Sequence, residues 1–145
     1  MVVKDFDYYI KKEIVVRRPV NIDRSESLFR ESEDSYFSLI ECVDSVGIHS
    51  RNSNMIIKMA YDVIMELIRA RMSSDGFVSS GYGAHEAEVS YLGELGFLRS
   101  DILFVDKLRY FRNGIMYYGK VFDRNYAISV LDFIKRVRED LIKDD

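Results

Sequence analysis

The 145-residue chain carries a formal net charge of -3, a single cysteine and 13% aromatic residues, with ten Tyr and no Trp. A chain of this length builds one core, burying roughly 68–70% of its unfolded surface. The lone Cys42 excludes a disulfide framework and a Cys-rich zinc site, no apolar run reaches the roughly 18 residues of a membrane helix, and the acidic balance excludes a surface that coats polyanions generically.

No signal-like stretch follows Met1, so a reducing cytoplasm is the expected compartment. One Pro and eight Gly leave few helix breakers and favour long helices over a many-turned β fold. Residues 5 to 14 place Phe6, Tyr9, Ile10 and Ile14 at helical spacing, which predicts a short arm-like helix broken at Arg17, Arg18 and Pro19. Asp23 with Glu26 reads as a capping box ahead of a helix bearing Leu28, Ser32, Tyr36, Leu39, Val43 and Val46, ending near Gly47. A polar connection from His49 to Asn54 follows, with His49 expected to be exposed.

The next helix starts at Ser53 or Asn54. Its stripe of Ile56, Ala60, Val63, Leu67 and Ala70 is widened by Met59, Ile64 and Ile68, as in a central helix, and it stops at Gly76. A mobile loop through Gly81, Tyr82 and Gly83 leads to a short helix from His85 to Leu95. Ser100 or Asp101 opens a long helix carrying Phe104, Leu108, Phe111, Ile115 and Tyr118. Asp123 caps the last helix, with Ala127, Val130, Leu131, Ile134, Val137 and Leu141 facing inward. No period of two persists long enough to predict a strand. The organisation read is an N-terminal segment over 1–22 and a helical unit over 23–145, one domain overall.

Chemistry concentrates on the fifth of these helices. Arg109, Asn113 and Tyr117 recur every four residues and share a face, with Arg112 on its edge. A guanidinium offers a planar fork to a phosphate, an amide holds a base or ribose edge, and a phenol stacks or donates. Between Arg99 and Lys120 stand five Lys or Arg against Asp101 and Asp106. Gly114 inside a helix costs about 1 kcal/mol against Ala and calls for a close approach by a second backbone or a ligand. His85 is expected to open its short helix, with general base as the rival role. Asp62, Glu66 and Arg69 are spaced for a ladder of ion pairs. Ser79 to Gly83 lack the Lys and hydroxyl of a phosphate loop, and neither a metal nor a cofactor is expected.

Several segments together resemble the HEPN family of small helical proteins. These are "DFDYYIKKEIVVRRPVNIDRSESLFRESEDSYFSL", with its basic-Pro turn and Ser27–Leu28 pair; "MAYDVIMELIRARMSSDGFVSSGYGAHEAEVSYLGELG"; and "VDKLRYFRNGIMYYGK". The resemblance implies an all-α fold: an antiparallel bundle of four main helices, with an additional short N-terminal helix and a short helix after the Gly-containing loop. It also implies a homodimer whose Arg-Asn segments share a cleft, RNA as the substrate class, and a toxin-antitoxin-like module with a minimal nucleotidyltransferase partner. Arg112 and Asn113 match the first two positions of the family's ribonuclease signature. Tyr117 stands where those members carry His, and Gly119 stands where another branch carries a modified Tyr. The function implied is therefore binding of RNA or a nucleotide through Arg109, Arg112, Asn113 and Tyr117. The alternatives are metal-independent RNA cleavage by Arg112 and Asn113 with another base such as His85, and a non-catalytic scaffold.

Overall fold

The computed structural model describes residues 3–142, and 76% of these lie in six helices. In chain order they are α1 (Phe6–Lys11), α2 (Ile22–Val46), α3 (Ser50–Asp75), α4 (Ala84–Glu94), α5 (Arg99–Tyr118) and α6 (Arg124–Ile142). No helix among the described residues is long and apolar enough to cross a membrane.

One expectation fails at the N-terminal side. Val15–Arg17 (β1) and Phe77–Ser79 (β2) form a two-stranded antiparallel sheet, pairing Val15 with Ser79, Val16 with Val78 and Arg17 with Phe77. Three residues are too few for a period of two to show in sequence, and the pairing joins segments some sixty positions apart. Helix α1 accordingly ends at Lys11 rather than at residue 14. The chain turns at Glu13, which takes a left-handed φ of 60°, to deliver Ile14 and β1 to the sheet. Gly76 serves the same junction. Its φ is +85°, and a Cβ there would lie 2.9 Å from the Arg18 carbonyl oxygen of the neighbouring strand segment. Far from standing off as an arm, α1 buries Phe6 and Tyr9, and Phe6 packs edge-on against Phe77 and Tyr91.

Two helix starts also move. The cap of α2 is Asn21, whose side chain accepts the Arg24 N–H at 2.9 Å, so the Asp23–Glu26 box lies inside the first turn. Helix α3 begins at Ser50 because the Asn52 amide bonds both the His49 N–H and the Gly47 carbonyl, each at 2.9 Å. His49 is thus the half-buried cap of α3, its ring on the Val46 carbonyl, and not an exposed loop residue. Asp123 caps α6 as expected, accepting the Tyr126 N–H at 2.8 Å.

Helix α3 is the axis of the core, with Ile56, Ala60, Val63, Ile64, Leu67 and Ile68 all buried, as its wide stripe requires. Neighbouring helices run in directions fixed by their cross-contacts. Ser25 and Ser32 of α2 donate to the carbonyls of Ala70 and Val63, so α2 descends as α3 rises. On α5 and α6, Asp101 meets Arg136, Phe104 stacks on Phe133 and Phe111 meets Tyr126, again antiparallel. Glu86 of α4 pairs with Arg109 of α5, while Gly93 lies against Ile102, so these two are antiparallel as well. That last pairing holds the start of α4 beside the second half of α5.

Candidate functional site

Where α4 begins, the Gly81–Gly83 turn, α3 and α5 enclose an open cleft of about 290 Å³. Its lining includes all five residues singled out in the sequence: His85, Arg109, Arg112, Asn113 and Tyr117. Tyr61, Tyr82 and Glu86 complete the wall. Larger hollows of about 610 and 800 Å³ lie elsewhere, beside Pro19 and between α2 and the end of α6, and carry none of these groups.

The two arginines differ in what they are already doing. Arg109 is largely buried and held twice, by Glu86 of α4 at 3.0 Å and by Asp106 one turn back at 3.0 Å. Its charge is spent inside the protein, tying α5 to α4. Arg112 is the freer cation. Its nearest carboxylate is Asp62, at 4.0 Å and half exposed, its guanidinium lies 5.5 Å from the centre of the Tyr61 ring, and its Nε is buried without a hydrogen-bond partner. A guanidinium stacked on a ring and short of acceptors can take an anion in its plane.

Tyr61 forms the floor. Burial is the chief reason its phenol is held well above the ordinary value, against the opposing charges of Arg109 and Arg69, so it stays a neutral hydrogen-bonding group. Its hydroxyl lies 3.4 Å from His85 Nδ1, a long contact on an otherwise exposed imidazole. His85 and Glu86 occupy the first turn of α4 and, with its cap Gly83, line the cleft. Tyr117 of α5 also lines the cleft and is 71% exposed.

Gly114 has a different explanation from a ligand. A Cβ there would meet the Lys120 side chain at 3.1 Å, because the chain folds back after Gly119 and the Lys120 N–H returns to the Gly114 carbonyl at 3.2 Å. Asn54 of α3 secures this return, donating to the Lys120 carbonyl at 2.8 Å and accepting the Phe122 N–H at 3.0 Å. The end of α5, and with it Tyr117, is thereby positioned from α3.

The ion-pair ladder on α3 does not form. Arg69 turns to Glu88 of α4, meeting both carboxylate oxygens at 3.1 Å, and Ser79 donates to the same carboxylate at 2.7 Å. Glu66 is left beside Glu31 and Asp62. Burial first, and then those two charges, push its carboxyl up to about 6.

Sequence reasoning missed Tyr61, Glu86 and Asp106. Tyr61 sits within the apolar stripe of α3 and reads as core, which it also is. Asp106 entered only the local charge balance and Glu86 carried no signal of its own, and only the α4–α5 approach shows them neutralising Arg109. Comparisons with protein-family models, curated proteins and solved structures gave no match to this chain.

Proposed function

We infer that the chain is an HEPN-type protein that binds RNA or a nucleotide in the Arg112 cleft. One observation carries the reading: Arg112, Asn113, Tyr117 and His85, chosen from sequence, converge on one cleft in which the Arg112 guanidinium lacks a full set of acceptors. In this reading Arg112 takes a phosphate, Asn113 and Tyr117 take base or ribose, and Arg109 shapes the wall. Support for a four-helix bundle of this family comes from α2, α3, α5 and α6, the four longest helices, and from the antiparallel runs of α2 on α3 and α5 on α6. Exposed Tyr110, Met116, Tyr118 and Val121 at the end of α5 support a homodimer built on that end, and a minimal nucleotidyltransferase partner belongs to the same proposal.

A second reading, metal-independent cleavage of RNA, is favoured by the position of His85 in the same cleft as Arg112. An imidazole exchanges its proton near neutral pH, and a placed acid or base contributes typically ~10²- to 10⁴-fold. Labelled RNA incubated in chelator distinguishes the two. Binding that weakens with salt and is lost in Arg112→Ala, without cutting, supports the binding protein. Cutting abolished by both His85→Ala and Arg112→Ala supports the enzyme. Tyr117→His is expected to raise cleavage by restoring the family's base. No binding at low salt by the native protein refutes both readings.

A further inference from the structure

Tyr82 is the most exposed large hydrophobic side chain among the described residues at 93%, and it sits on the rim of the Arg112 cleft. Two glycines hold it there. Gly81 and Gly83 take φ of +80° and +87°, a backbone that presents the intervening residue outward and that other residues adopt only under strain. Water-facing placement of so large a ring buries none of its apolar surface, and no ring or cation of the described residues stacks on it. Tyr117 of α5 lines the same cleft and is itself 71% exposed. The same cleft holds the Arg112 guanidinium 5.5 Å from the centre of the Tyr61 ring.

We propose that Tyr82 and Tyr117 are a pair of stacking jaws for an unpaired nucleobase, which makes single-stranded RNA, rather than duplex, the ligand of the cleft. The proposal rests on the reading of Arg112 as a phosphate contact and adds the base to it. Aromatic side chains bind bases through their faces, which are open only when the base is not stacked in a helix. A phosphate on Arg112 sets the backbone beside the rim, so its attached base comes to the level of the jaws. The Asn113 amide, half-buried in the same cleft, is placed to meet the edge of a base held there. A duplex offers the same phosphates with its base faces covered, and gains only the contact with Arg112.

The test is fluorescence anisotropy of a short labelled RNA in three forms at low salt: single strand, the same strand with abasic sugars at its centre, and duplex. The native protein is expected to bind the intact single strand at least about fivefold more tightly than the other two, the lower end of the range for stacking one base. Tyr82→Ala should bring the intact strand down to the abasic level and leave the abasic affinity unchanged, and Tyr117→Ala should likewise remove the preference for the intact strand. Tyr82→Phe should keep the native preference, since stacking needs the ring and not the hydroxyl. Tyr82 is 93% exposed, so its replacement leaves the fold intact, and a thermal melt verifies this. Equal binding of intact and abasic strands by the native protein, with both lost in Arg112→Ala, overturns the jaws while sparing the phosphate contact. Absence of binding to all three forms overturns the phosphate contact and the jaws together.

Discussion

Replacing Arg109 by Met keeps most of the aliphatic stem and removes the charge, leaving Glu86 and Asp106 facing each other without a cation. Their side chains are only 18% and 12% exposed, and that of Arg109 is 13% exposed. Breaking a buried pair by deleting one partner costs typically ~3–5 kcal/mol, because the remaining charge is desolvated and unmatched. Water still reaches these groups in part, so the expected loss is nearer ~2–3 kcal/mol, or roughly 5–10 °C in Tm for a domain of this size. Urea unfolding at pH 7 reads it directly. The parallel change Arg112→Met removes a contact at 4.0 Å to a half-exposed carboxylate and the approach of the cation to the Tyr61 ring, and should cost about 1 kcal/mol or less. Adding Glu86→Gln to Arg109→Met should recover part of the loss. A loss below ~0.5 kcal/mol for Arg109→Met, or equal losses for the two arginines, would refute the assignment of Arg109 to structure and Arg112 to ligand.

Leu108 and Leu131 are both buried in the core shared by α3, α5 and α6, so either one changed to Ala should cost ~2–5 kcal/mol in chemical denaturation. Less than ~0.5 kcal/mol for both would mean that neither fills the core. Glu66 titrates near 6 in the fold against 4.5 for the free side chain. The folded protein therefore holds the extra proton in that interval, and the stability this contributes is full below about 4.5 and lost as pH rises through about 6. Glu66→Gln should flatten the stability profile across that window and stabilise the protein at pH 8 by less than ~1 kcal/mol, given the solvent screening at a partly exposed site. A variant less stable than the native protein at pH 8 would contradict this sign.

Helix identity and inward faces were legible in the chain because they are set by spacing along one segment. The stripe Ile56, Ala60, Val63, Leu67 and the run Ala127, Val130, Leu131, Ile134 are buried as their periods require. Helix starts were less legible where the cap lies outside the periodic run. Asn21 and the His49–Asn52 cap carry no apolar signal of their own, so α2 and α3 each begin earlier than the pattern suggests. The sheet was invisible for a different reason. Val15–Arg17 and Phe77–Ser79 are too short to show alternation, and each depends on partners far away in sequence.

By itself the sequence determined that the protein is built of amphipathic helices around α3, and that Arg109, Arg112, Asn113 and Tyr117 stand near one another, since a helix places residues three and four apart side by side. Tertiary structure alone decided which of these groups is available. The approach of α4 spends the charge of Arg109 on Glu86 and brings His85 and Tyr82 to the cleft, while Tyr61 of α3 slides beneath Arg112. Those partners lie some twenty to fifty positions away in sequence, and no local period carries information about which distant carboxylate or ring will come to rest against a given arginine.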